Sequence, residues 1–187
     1  MQSRTCVHVN AGRKVLRYLK GTFNHCLFYD KMNDLIVSAF IDVDWTGSLN
    51  DRRSTSGYVF LLGTTTISWS SIVAISSTKV EYRVMANATC EAMWIKKLMN
   101  NLCIENLQIT IYCNNMLSIN LANNPVFYAR TEHIEVHYHF EREKVLSRDK
   151  EIHYLKTNMQ VADMFTKSLD STKMKKFKEY INLQYIQ

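Results

Sequence analysis

Hydrophobic positions along this chain change their spacing so that strand-like runs come first and mostly helical runs follow. Ahead of the strands, Ala11 to Lys20 places Val15, Leu16 and Leu19 among Arg13, Arg17 and Lys20 at helical intervals, with Gly21 as the expected stop. Cys26 to Tyr29 and Leu35 to Trp45 are rich in strand formers and flank a turn-like DKMND. Gly57 to Leu62 and Thr66 to Ser70 flank GTT, so a strand meander is predicted. The polar stretch between Trp45 and Gly57 reads as an exposed loop carrying Arg52 and Arg53. Thr78 to about Asn100 is helical in pattern and carries a lysine pair before Leu98, as a helix C-terminus favours. Ile109 to Cys113 reads as a short buried strand, Met116 to Ala122 as a helix halted by Asn-Asn-Pro, and Thr131 to Leu146 as a charged, aromatic-rich helix. Glu151 to Leu155 alternates like a strand, and Gln160 to Lys167 and Ser171 to Tyr180 form a last helical pair. This order predicts a mixed α/β domain, a sheet flanked by helices.

Composition narrows the classes. At 187 residues and 47% hydrophobic, one packed domain with a modest appendage is expected. Lys and Arg number 23 against 17 Asp and Glu, a net charge of +6 that suits a polyanionic partner. The charge gathers at the ends: residues 1–20 hold five basic side chains and no acid, and residues 166–187 hold five lysines against Asp170 and Glu179. Five cysteines without a C-x-x-C pair read as reduced thiols serving as small buried residues. No apolar run approaches about 18 residues and the opening residues show no signal-peptide pattern, so a soluble intracellular chain is expected, cytoplasmic or nuclear.

Several acids stand in places that invite chemistry. A strand period of two puts Asp42 and Asp44 on the face of Phe40, with Ile41, Val43 and Trp45 on the other. Asp44 is explained by the strand's end, whereas Asp42 lies between apolar neighbours and needs a stronger reason. Glu81 follows Thr78 at the spacing of a capping box, which would account for it alone. Asp163 sits in QVADMFTK, where Ala162, Met164 and Phe165 predict partial burial. His133 and His137 stand four apart, but H-x-x-x-H lacks the glutamate of H-E-x-x-H, so surface or core histidines are the plainer reading. Ser76, Ser77 and Thr78 carry no nucleophile signature and read as turn and capping residues.

Combined words narrow the reading further: VLRYLKGT at 15–22, DVDW at 42–45, DRRSTSGYVFLLG at 51–63, ISWSS at 67–71, VAISST at 73–78, NPVFYARTEHIEVHYHFERE at 124–143 and QVADMFTKSL at 160–169. From about Val15 to Leu169 the chain closely resembles the C-terminal ribonuclease H region of copia-type (Pseudoviridae) retrotransposon Pol polyproteins. The resemblance implies an RNase H-like five-stranded mixed sheet, three antiparallel strands first, with helices on both sides. It implies division into a remnant of the reverse transcriptase connection at 1–25, the RNase H-like domain at 26–168 and a basic C-terminal helix at 169–187. It also implies hydrolysis of RNA in RNA–DNA hybrids by four acids holding two Mg²⁺ or Mn²⁺ ions, beside the reverse transcriptase portion of Pol.

Carried over by position, the resemblance assigns metal-binding acids to Asp42, Glu81 and Asp163. The third acid of the family's Y-C-D-N-Q-S-A-I word is Asn114 here, and Met116 replaces the glutamine. The family's S-S-T-E-A-E-Y reads Ser76 to Tyr82 with Lys79 and Val80 substituted. About four residues of a K-x-Q type segment are missing between Trp69 and Val73, which is expected to shorten a strand or its turn by about 10 Å. Arg13, Arg17, Lys20, Arg52, Arg53 and His133 are candidate nucleic-acid contacts, the last as part of the family's histidine-rich word. Hard divalent ions need oxygen ligands and negative charge, and Asn114 supplies only a neutral amide. The expectation is an ancestral two-metal endonuclease impaired in this copy; the alternative is a non-catalytic remnant that at most binds nucleic acid.

Overall fold

The structure, a computed structural model, describes residues 5–29, 31, 35–44, 54–74, 80–104, 107–116, 119, 143–144 and 150–186. A helix α1 (Cys6–Thr22) precedes strands β1 (His25–Leu27), β2 (Val37–Asp44), β3 (Ser54–Leu62) and β4 (Thr65–Ala74). Helix α2 (Val80–Asn101), strands β5 (Ile109–Cys113) and β6 (Lys150–Tyr154), a 3₁₀ turn at Thr157–Met159, helices α3 (Asp163–Thr166) and α4 (Ser171–Tyr180), and strand β7 (Leu183–Tyr185) follow.

Five strands form one mixed sheet in the order β4-β3-β2-β5-β6, which puts β2 at the centre. β2, β3 and β4 are antiparallel neighbours, while β5 pairs parallel to β2 and β6 parallel to β5. A five-stranded mixed sheet with three antiparallel strands first is what the resemblance implied and what is observed. β1 departs from the meander: it pairs antiparallel with β7 in a separate ribbon, His25 opposite Tyr185. Such pairing joins segments at opposite ends of the chain, which local spacing cannot reveal.

Strand alternation sends the two faces of the sheet into two cores. Val37, Ala39 and Ile41 of β2 join Ile109 and Ile111 of β5 against Val84, Ala88, Ala92 and Ile95 of α2. The small alanines let α2 lie close to the sheet, and the i, i+4, i+8, i+11 spacing keeps this stripe on one side of the helix. On the opposite face Phe40, Val59 and Leu61 pack with Val161, Ala162, Phe177 and Ile181 from the C-terminal segment. Helical segments therefore cover both faces, as expected.

Several boundaries moved. α1 begins five residues earlier than Ala11 and runs through Gly21, which is helical and not a stop; none of the helix's residues is buried. β4 pairs with β3 from Leu62↔Thr65 to Ser54↔Ala74, so the shortening that the resemblance implied is not seen in this strand. The helix expected over Gln160 to Lys167 is reduced to one turn, Asp163–Thr166: Gln160 is extended after the 3₁₀ turn at Thr157–Met159, and its amide donates to the Ile41 carbonyl at 2.8 Å. Of the cysteines only Cys113 is buried, while Cys6, Cys90 and Cys103 are exposed and Cys26 is half-buried, so the reading as buried small residues holds for one position. The helices expected at 116–122 and 131–146 fall almost wholly outside the described residues.

Two backbone features lead to measurable outcomes. α2 ends in a Schellman motif, Ile104 N–H on the Met99 carbonyl and Cys103 N–H on the Asn100 carbonyl, both at 3.0 Å, with Cys103 left-handed at φ 62°. Cys103→Gly should raise stability by about 1 kcal/mol in urea denaturation, because a side chain costs about that much in this conformation. A Cβ on Gly57 would lie 2.9 Å from the Phe165 Cβ, so a bare backbone is what lets α3 settle on β3. Gly57→Ala should lower stability by about 1–3 kcal/mol, the usual cost of overpacking, with far-UV circular dichroism nearly unchanged.

Candidate active site

Asp42 is the sixth residue of the central strand, and its side chain is on the Phe40 face, as alternation requires. Parallel pairing of Ile41 with Cys113 brings the next residues of the two strands, Asp42 and Asn114, side by side. α3 starts at Asp163 and is held to β4 by the Ser71 hydroxyl, which donates to the Phe165 carbonyl at 2.9 Å. Asp42 and Asp163, each 1% exposed, are thereby drawn together from positions far apart in the sequence.

Among the described residues, the side-chain contacts of the two carboxylates are all with donors. Asn114 Nδ2 donates to Asp42 Oδ1 at 3.1 Å, and the Thr166 hydroxyl donates to Asp42 Oδ2. Lys167 Nζ bridges the two acids, 3.0 Å from Asp42 and 2.9 Å from Asp163 Oδ1. Lys173 Nζ donates to Asp163 Oδ2 at 2.7 Å. Burial by itself would lower the Lys167 pKa, but hydrogen bonds to Asp163 and Asp42 and the charge of both outweigh it and hold the value above the ordinary 10.5. Lys167 is therefore a full cation at neutral pH.

Asn114 has a definite electrostatic effect. A carboxylate at this position would stand against Asp42 as a second negative charge, whereas the amide presents N–H to it and removes both the repulsion and the charge.

The other positions singled out in the sequence lie apart from this pair or outside the described residues. Glu81 is the second residue of α2, and its side chain lies outside the described part of the structure. Asp44 ends β2 opposite Thr55, consistent with a strand-end role. Arg13, Arg17 and Lys20 stand exposed on α1, while Arg52, Arg53 and His133 lie outside the described residues. Among the described residues no group of three or more His, Cys, Asp or Glu converges.

Thr166, Lys167 and Lys173 were not among the residues singled out. The first two carried a signal, since they stand three and four positions after Asp163, where helical spacing pairs acids with donors. Lys173, on the next helix, had none. Thr166→Val keeps the shape and deletes the hydroxyl, leaving the buried Asp42 carboxylate short of a donor. It should cost about 2 kcal/mol by urea denaturation at pH 7, and a change within about 0.5 kcal/mol would mean the hydroxyl is dispensable.

No family model matches the chain. It is 40% identical over 188 residues to the Retrovirus-related Pol polyprotein from transposon RE1 of Arabidopsis thaliana, an alignment covering 98% of this chain and 13% of that polyprotein. Among solved structures it is similar to the N-terminal RNase H domain of a Mycobacterium tuberculosis protein, with a TM-score of 0.53 and 10% identity over 78% of this chain and 98% of that one. It is also similar to a ribonuclease H1 crystallised with an RNA/DNA hybrid, with a TM-score of 0.51 and 14% identity over 70% of this chain and 93% of that one. At such identities these structures establish the fold. No described helix is long and apolar enough to cross a membrane. The chain is a relative of copia-type, retrovirus-related Pol polyproteins that spans a small part of their length, and the domain it forms has the RNase H fold.

Proposed function

We propose that this chain is a retrotransposon-derived RNase H-like domain descended from a metal-dependent endonuclease for RNA in RNA–DNA hybrids, with its site weakened in this copy. The observation that carries the reading is the meeting of Asp42, Asp163 and Asn114 where the central strand, its parallel neighbour and α3 converge. The similar fold crystallised with an RNA/DNA hybrid and the Pol relatives support the substrate class. In an intact element the reverse transcriptase portion of Pol would be its covalent neighbour.

The donor set fits Mg²⁺ or Mn²⁺: aspartate and amide oxygens are hard ligands, and one cation, the Lys167 ammonium, already stands between the two carboxylates. Asp42 and Asp163 would hold the ion, joined by Glu81 on the strength of the resemblance, and Asn114 could add its Oδ1 by turning its amide. Such ions, when bound, supply hydroxide at neutral pH and stabilise a leaving oxygen. Thr166 and Asn114 fix the orientation of the Asp42 carboxylate through their donors. Asn114 also withholds one of the four charges, and loss of one electrostatic stabiliser typically costs about 10²–10³ in rate.

A second reading, a remnant without catalysis that at most binds nucleic acid, draws on the two lysines that neutralise the aspartates and on the exposed basic residues Arg13, Arg17 and Lys20 of α1. Cleavage of a labelled RNA–DNA hybrid in Mg²⁺ or Mn²⁺ separates the two. Weak cleavage is expected, absent in Asp42→Asn and raised about 10²–10³-fold in Asn114→Asp. If both the wild type and Asn114→Asp are silent although folded by circular dichroism, the endonuclease reading is wrong and the remnant reading stands.

A further inference from the structure

Neither lysine takes part in the hydrolysis proposed above, yet their placement is specific. Lys173 is the third residue of α4, where the positive end of the helix dipole disfavours a cation. It is nevertheless held there by the Phe177 ring, 5.2 Å from its Nζ, and by Asp163 Oδ2. Lys167 follows α3 in extended backbone, and its ammonium reaches both aspartates. Both lysine side chains are 27% exposed, so the cations approach from the solvent side of carboxylates that are 0% and 1% exposed. Two buried negative charges thus meet two positive ones, and Asn114 adds none.

We propose that Lys167 and Lys173 are resident counter-cations of the Asp42–Asp163 pair: they keep the site folded without metal, and a divalent cation binds by displacing the Lys167 ammonium. This rests on the pair being a metal site but not on its cutting anything. The Nζ–O distances of 2.7–3.0 Å exceed the 2.0–2.1 Å that Mg²⁺ demands, so the carboxylates cannot hold the ion and the ammonium in the same place. Removing one buried partner leaves an uncompensated charge, which either destabilises the fold or recruits another cation. Lys167 and Lys173 are positioning residues in this account, and their effect is read from binding and folding.

The test uses the whole chain, with Mn²⁺ as probe. Free Mn²⁺ is counted by electron paramagnetic resonance, and melting is followed in EDTA and in Mn²⁺. The wild type should melt at nearly the same temperature in both. Lys167→Met should melt lower in EDTA, recover in Mn²⁺ and bind the ion at least about tenfold tighter, with Lys173→Met following in the same direction. A Lys167→Met chain unfolded in EDTA but folded in Mn²⁺ supports the proposal equally. Asp42→Asn with Lys167→Met should regain metal-free stability and lose the tightened binding. The proposal is overturned if folded Lys167→Met and Lys173→Met bind Mn²⁺ no tighter than wild type. It is likewise overturned if Lys167→Met is unfolded in both conditions and Asp42→Asn does not rescue it. Tight, stabilising Mn²⁺ binding by Lys167→Met, with the wild type and Asn114→Asp both silent on the hybrid, would sink the nuclease reading and leave this one intact.

Discussion

Burying a carboxylate in the middle of the central strand is the constraint to which the rest of the site answers. Removing an ionised group from water costs several kcal/mol unless donors and opposite charge replace the solvent. Asp42 receives these from three parts of the chain: the strand end at Asn114, the hydroxyl of Thr166 and the ammonium of Lys167. Each donor is placed by a different structural event. Parallel pairing brings in Asn114, and Gly57 and Ser71 seat the turn of helix that carries Thr166 and Asp163. The polar cluster and the sheet's second hydrophobic core are therefore assembled together.

Much of this was legible where it depended on local periodicity. Both faces of β2 are covered, and strand geometry, with its period of two, separates Val37, Ala39 and Ile41 from Phe40 and Asp42. The five-stranded mixed sheet came from the order of elements and from the family resemblance. Features set by tertiary packing were not legible. β1 reads as one more meander strand until its partner, at the far end of the chain, is known. Gly21 reads as a stop because glycine favours ends, yet the helix runs one residue past it; at α2 the left-handed position went to Cys103, which carries no such signal. At the site, the acids could be assigned faces or motif positions, but the cations that neutralise them could not. A lysine's long stem lets it reach many neighbours, and only the packing of α3 and α4 against the sheet selects one.

The amide at Asn114, where the resemblance implies an acid, is informative because of what surrounds it. In open water an Asp-to-Asn change alters little beyond charge. Here the amide contributes an N–H to a buried acid, so Asn114 adds to the internal satisfaction of Asp42 and sets no second negative charge beside it. In the metal-binding reading proposed above, folding and metal affinity pull this residue in opposite directions.

The small ribbon of β1 and β7 has a mechanical consequence. It pairs His25 with Tyr185 and Leu27 with Leu183, and the Ile186 amide closes onto the Asn24 carbonyl at 2.8 Å, so the chain enters and leaves the sheet-bearing body at one place. A force applied through residues 24 and 186 would meet this antiparallel pair end-on and open it one hydrogen bond at a time, before any load reached the sheet. The ribbon is thus a low-force fastener: tension along a longer polypeptide would be spent unzipping three residue pairs while the aspartate cluster stayed closed.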